Sequence, residues 1–220
     1  MSTVLSTWAQ LLPLALAVCI NPLPIIAMVL ILLTPRGRAN AAFMLLGWLL
    51  GLMLLGGVAI AVGNHTSLFG SEGDAPLAQW LQRIVGVALL VLALQQWRGR
   101  DHKEQPAWMR SLAGISQWRS FGFGALLSAG NPKNILLTLG AMAFVVEVGL
   151  SRLHEALVLL GFIIVASIGV AAPPALVLIR RERAKPMLEA WRQWLAQHSA
   201  MLMSVVLAAI GAILIVKSFT

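Results

Sequence analysis

Charge is scarce in this sequence. Only 11% of its 220 residues are Asp, Glu, Lys or Arg, against 59% hydrophobic residues and a mean hydropathy of +0.86, which excludes an ordinary soluble domain. Carboxylates are scarcer still: eight, against 16 Lys and Arg. None falls in the middle of an apolar run, since Glu147 and Glu155 stand at run ends. Without an acid at depth there is no carboxylate proton carrier, no metal-binding acid pair and no general base, so neither a catalytic residue, a metal ligand nor a cofactor is expected. The single cysteine, Cys19, excludes an intramolecular disulfide and a two-thiol relay. The histidines His65, His102, His154 and His198 lie apart, in loops or at run ends, and make no metal set. No basic stretch precedes the first apolar run, and Val18 stands where a lipidated Cys19 would need a small residue, so that run is expected to be a retained span and not a signal.

Long apolar runs are what the chain does have. Runs of about 20 such residues suffice to cross a bilayer, and six are present, near residues 8–33, 41–62, 77–97, 121–148, 155–179 and 201–216. The expected fold is therefore an all-α polytopic membrane protein. The second run holds Gly47, Gly51, Gly56 and Gly57, spacings that allow close helix approach. Loops are expected at 34–40, 64–79, 98–120 and 180–200, and within the third of these residues 106–118 mix Trp108, Met109, Leu112 and Ile115 with polar residues, as a helix lying on the membrane surface would.

The distribution of basic residues orients the spans. Two, five and five Lys or Arg fall in the loops after spans one, three and five, and one, Arg152, in the loops after spans two and four. Basic loops stay in the cytoplasm, so both termini are expected outside the cytoplasmic (inner) membrane. Because the basic residues flank apolar spans, the net charge of +8 reads as topology and not as a nucleic-acid footprint. Seven of the eight tryptophans, all but Trp48, lie near span ends, where indoles favour the headgroup level.

Two stretches interrupt spans near their centres: Asn21-Pro22-Leu23-Pro24 in the first and Asn131-Pro132-Lys133-Asn134 in the fourth. Proline removes a backbone donor and clashes with the preceding turn. A broken helix at membrane depth is tolerated where protein buries it or where it lines a cavity. The Asn-Pro steps are 110 residues apart, half the chain, and Leu45-Leu46-Gly47-Trp48 is echoed by Leu159-Leu160-Gly161-Phe162. Three spans per half would insert the second half upside down. The expected plan is two inverted repeats, residues 1–97 and 121–220, joined by a basic linker at 98–120, with the substrate site where the broken helices meet. At about 1.5 Å per residue, Lys133 lies roughly 17 Å into its span, about half of a core near 30 Å. An ammonium there costs at least about 2.5 kcal/mol, and no mid-span carboxylate offsets it. Asn21, Pro22, Pro24, Asn131, Pro132, Lys133 and Asn134 are accordingly the candidate substrate site, with the ammonium and amides meeting an anionic group. Pro173 and Pro174 form a third break or hinge in span five, and Arg36, Arg38 and Arg83 are candidate headgroup contacts near span ends.

These residues carry a resemblance. Pro22-Leu23-Pro24-Ile25-Ile26-Ala27, Thr34-Pro35-Arg36-Gly37-Arg38-Ala39-Asn40, Leu46-Gly47-Trp48 and, most specific, Leu127-Ser128-Ala129-Gly130-Asn131-Pro132-Lys133-Asn134 with Leu136-Leu137-Thr138 resemble the glycopeptidolipid-addressing and sulfolipid-addressing protein family of the lysine exporter superfamily. The resemblance covers almost the whole chain. It implies a bacterial cytoplasmic-membrane protein that helps move a glycolipid or lipid-linked intermediate toward the cell surface, driven by an ion gradient and able to pair with a second copy. The combined expectation is a transporter or flippase for an amphiphile with an anionic head, such as a glycolipid, phospholipid or lipid-linked sugar. An exporter of a small polar solute, an amino acid or organic anion, is the alternative, since an Asn and Lys site binds a carboxylate as readily as a phosphate.

Overall fold

Proline decides where the first helix stops. A residue preceding proline is pushed out of the α region, and Asn21 accordingly lies at φ −58°, ψ 111°. In the computed structural model, which describes residues 2–65, 75–98, 112–180 and 183–217, helix α1 (Ser2–Cys19) ends there and α2 (Pro22–Leu32) restarts, bent by 46° from it. Proline then favours the restart, because its fixed φ suits the first helical position and its missing N–H has no partner to lose there. The second step behaves alike: α5 (Gln117–Ala129) ends before Gly130 and Asn131, and α6 (Pro132–Glu147) begins at the proline.

Two long helices complete each arm of the chain's path: α3 (Gly37–His65) and α4 (Ala75–Arg98) follow α2, α7 (Arg152–Arg180) and α8 (Ala184–Lys217) follow α6, and a short 3-10 turn, Leu112–Gly114, precedes α5. Among the described residues there is no strand. The 29-residue helices α3 and α7, with mean hydropathies of 2.4 and 2.5 over their most apolar 18 residues, are each long and apolar enough to cross a membrane, and the bent pair of α1 and α2 is a third candidate span. Leu46, Leu50, Leu54 and Val58 form an exposed stripe down α3, and Leu153, Leu157, Leu160, Ile164 and Ile168 do so on α7. Outward apolar stripes on helices of this length mark a membrane protein.

Small residues set the tightest seam. A Cβ on Gly47 would collide with the Phe121 carbonyl, one on Gly124 with the Met44 carbonyl, and one on Gly51 with the Ser128 hydroxyl. Helix α3 therefore lies along α5 backbone to backbone. Gly56 meets the Leu159 side chain, whereas nothing lies near Gly57, so the sequence expectation of close packing holds for three of the four glycines. Around this seam α1 packs on α7 and α4 on α8. Trp48, the tryptophan away from span ends, is fully buried, and its indole N–H donates to Ser167 Oγ of α7 at 3.1 Å. A buried indole needs such an acceptor.

Two expectations change. Residues 180–200, read as a basic loop, are helical from Ala184 onward. Ala, Lys, Met, Leu, Glu, Arg and Gln are all good helix formers, and Pro186 falls in the first turn, where proline is tolerated. Ala184, Leu188 and Leu195 are buried, the first two against Val29 of α2. Likewise Pro173 and Pro174 do not end α7, which runs on to Arg180. Of the linker at 98–120, residues 99–111 and with them the first part of the expected surface helix, 106–111, lie outside the described residues; its remainder is the 3-10 turn Leu112–Gly114, two non-helical residues and the start of α5 at Gln117.

At the far end of α7, Glu155 is 4% exposed. Asn64 Nδ2 donates to both its carboxylate oxygens at 3.1 Å, and Arg152 lies 3.6 Å away. Glu155 thus ties the end of α3 to the start of α7, where the helix dipole also favours an anion. Asn64→Leu is expected to lower stability by about 1–3 kcal/mol by stripping a buried carboxylate of its donor, read as a lower melting temperature in detergent. Glu155→Gln should cost less, since an amide oxygen can still accept from Asn64.

Candidate functional site at two helix breaks

The two Asn-Pro steps, 110 residues apart in sequence, meet in space. Asn21 Nδ2 donates to Asn134 Oδ1 at 3.3 Å, and both side chains are buried, 3% and 0% exposed. Asn134 in turn donates from Nδ2 to the Leu127 carbonyl at 3.0 Å. That carbonyl belongs to the last turn of α5, where the helix leaves acceptors without partners. Asn134 thereby closes the break between α5 and α6 and fastens it to the break between α1 and α2. Asn131 serves the backbone too: its Oδ1 accepts from the Lys133 amide at 3.0 Å, capping α6. Asn21 makes no such cap for α2, which leaves its amide free to reach Asn134.

Lys133 and Asn134 are neighbours about 100° apart on the helix, so they serve different interfaces. Asn134 turns toward α1. Lys133 turns toward α4, where its ammonium donates to Gln96 Oε1 at 3.0 Å. Both residues are half-buried. Among the described residues the ammonium has no carboxylate partner, and Gln96 can satisfy one of its three N–H donors. One turn beyond Asn134, the fully buried Thr138 hydroxyl has no partner among the described residues. The other span hydroxyls are occupied: Ser128 and Ser204 donate to carbonyls of their own helices, and Ser167 accepts from Trp48.

The remaining candidates separate by position. Pro22 and Pro24 are buried in α2, and Pro132 is exposed. Pro173 and Pro174 stand one turn past Gly169, whose Cα abuts the Cys19 carbonyl so closely that a Cβ would collide with it. The α7 prolines therefore adjoin the α1 break, and Pro173 deprives the Gly169 carbonyl of its usual donor. Arg36 and Arg38 are exposed around the turn between α2 and α3, and Arg83 is half-buried in α4; no distance places them at the breaks. Sequence reasoning missed Gln96 and the role of Asn134 as a bridge. Gln96 carries a signal in retrospect, as an uncharged acceptor close to the end of an apolar run, but its partner is fixed only by packing.

A double-mutant cycle checks the bridge. Asn21→Ala and Asn134→Ala are expected to couple by about 0.6 kcal/mol, the average for hydrogen bonds within a membrane protein, and by no more than about 1.7 kcal/mol. Asn134→Ala alone should cost more than Asn21→Ala, because it also unpairs the Leu127 carbonyl. Additive losses in denaturation would contradict the geometry.

Among the described residues no three His, Cys, Asp or Glu side chains gather as a metal site. The arrangement offers one ammonium with spare donors on the side of α4, the group that can take an oxyanion, while the amide bridge and the buried Thr138 hydroxyl lie on the other face of α6. No curated protein and no solved structure matches the chain. The model of the family SfLAP, described as Sap, sulfolipid-1-addressing protein, matches residues 11–220, nearly the whole chain, so this helical membrane protein belongs to the sulfolipid-1-addressing protein family.

Proposed function

We propose that the protein is a transporter or flippase that moves an amphiphile with an anionic head across the cytoplasmic membrane, with Lys133 as the headgroup's charge partner. The observation that carries this reading is the Lys133 ammonium, held beside the middle of a broken helix by a neutral Gln96 oxygen. An ammonium at that depth costs at least about 2.5 kcal/mol, and an anionic cargo would offset it transiently where a carboxylate would do so permanently. The family's name, sulfolipid-1-addressing protein, supports a lipid with an anionic head as the cargo class.

The architecture we infer is six spans in two inverted halves: the bent α1–α2 pair, α3 and α4, then the α5–α6 pair, α7 and α8. Three features support it. The broken first and fourth segments touch at their breaks. Exchanging the halves maps the α3–α5 contact onto the α7–α1 contact and leaves the α4–α8 contact in place. Trp48 and Phe162, equivalent in the repeat, are both fully buried. Basic loops then face the cytoplasm and the termini face outward. The two halves can rock about the Asn21–Asn134 contact, with Pro173 and Pro174 as a hinge, exposing Lys133 first to one leaflet and then to the other. No bond in the cargo is made or broken.

Reconstitution tests this. Vesicles containing the protein and a trace of headgroup-labelled phosphatidylglycerol or phosphatidylcholine are exposed to a membrane-impermeant quencher. Faster exchange of phosphatidylglycerol than of phosphatidylcholine is the expected result. Equal rates, together with export of a radiolabelled amino acid from the same vesicles, would replace the lipid with a small solute as cargo.

A further inference from the structure

Beyond the breaks, the start of α5 carries a groove of about 360 Å³ on the surface of the molecule, lined by Ile115, Arg119, Gly122, Phe123 and Leu126 among others. Arg119 is exposed at its mouth, and its guanidinium has no partner among the described residues. Among the described residues nothing lies within 4 Å of the position a Gly122 Cβ would take, so the groove has room beside Gly122. Leu126, 63% exposed, forms its far wall.

We propose that this groove is a loading site for an anionic phospholipid of the adjoining leaflet, the phosphate on Arg119 and an acyl chain along Gly122 and Leu126. The inference rests on the transport reading above and supplies its first binding step.

Depth, charge and shape each favour that occupant. Trp118, 75% exposed, stands beside Arg119 and packs edge-on against Phe43 and Phe121, with ring centroids 5.4 and 6.2 Å away. An exposed, ring-braced indole at the start of an apolar helix marks the headgroup level, so Arg119 sits where a lipid phosphate lies. A guanidinium matches a phosphate with two parallel hydrogen bonds. A free phosphate would leave the apolar wall of Ile115, Phe123 and Leu126 bare, whereas an acyl chain covers it.

The groove also points along the helix toward the breaks. Arg119, Gly122, Leu126 and Gly130 are all exposed, and spacings of three and four residues keep them on one face of α5. Beyond this face comes the break, and Lys133 lies on its far side in the first turn of α6. Arg119, near the start of α5, and Lys133 thus stand on either side of the break. Between them runs a strip with no acid and, at Gly122 and Gly130, no side chain. A headgroup would leave one cation for the other with its chains still in the bilayer.

Photolabelling of the full chain tests the proposal. Phosphatidylcholine vesicles carry a few per cent of phosphatidylglycerol or phosphatidylcholine bearing the same diazirine acyl chain, and adducts are mapped by mass spectrometry. Residues 115–126 are expected to take about fivefold more label from phosphatidylglycerol, the discrimination one interfacial arginine provides. Arg119→Gln should bring the two lipids to parity, and Gly122→Leu, which fills the groove, should reduce labelling by both. Equal labelling in the unaltered protein, or an excess that survives Arg119→Gln, would overturn the site. So would absence of label from both lipids with cross-linking to a second copy at these residues. Movement measured in the same vesicles separates the two readings. If Lys133→Gln stops movement while Arg119→Gln changes neither labelling nor movement, the groove falls and the transport reading stands. If labelling depends on Arg119 but no lipid moves, the binding site stands and the transport reading falls.

Discussion

Lys133→Gln is expected to slow movement of an anionic lipid by at least about tenfold, the effect of losing one charge-assisted hydrogen bond of about 1.5–3 kcal/mol. The same substitution should leave the melting temperature unchanged or higher, since it removes a half-buried ammonium with no carboxylate partner among the described residues while its neutral partner Gln96 can bond the new amide. That opposition of function and stability is the diagnostic. A purely structural lysine would lose stability and activity together. Lys133→Arg keeps the charge and should retain part of the activity, limited by the fit of a larger, planar head beside Gln96. Undiminished movement of phosphatidylglycerol by Lys133→Gln in reconstituted vesicles would remove the basis for the proposed mechanism.

Gly124→Val is expected to be the most destabilising single change. Its Cβ would meet the Met44 carbonyl and lie beside the Trp48 amide, both backbone atoms. Side chains can swing away from an added methyl, but a helix backbone moves only as a unit. The cost should therefore exceed the usual 1–3 kcal/mol or so of overpacking, enough to consume much of the stability of an ordinary domain. Gly47→Val strikes the Phe121 carbonyl across the same seam and should behave alike. Gly57→Ala, on the same helix but with nothing within 4 Å, should instead gain up to about 1 kcal/mol from helix propensity. Yield of monodisperse protein and melting temperature in detergent measure all three. Comparable behaviour of Gly124→Val and Gly57→Ala would mean that α3 and α5 are not in backbone contact.

How much of the site was legible in one dimension depends on how local its causes are. Both breaks were readable because an Asn-Pro step constrains its own backbone, whatever surrounds it. That Lys133 needed a partner was readable too, from depth and charge alone. Its partner was not, and the expectation that Asn21, Asn131 and Asn134 all face cargo did not anticipate their present duties. Asn131 caps its own helix, and Asn21 and Asn134 hold each other. An asparagine offers donors and acceptors equally to backbone, neighbour or ligand, and only the arrangement around it selects among them. The basic stretch at 180–200 misled for another reason: charge interrupts an apolar run without interrupting a helix, and α8 passes straight through it.

By itself, then, the sequence determined the membrane class, the apolar segments and the two proline-imposed breaks, because composition and backbone sterics act within a few residues. The tertiary structure alone decided that Asn21 reaches Asn134 113 positions away, that Lys133 finds Gln96 and that Trp48 finds Ser167. Those pairings depend on which helix faces meet and in what register, and that is set by how closely glycine lets two backbones approach.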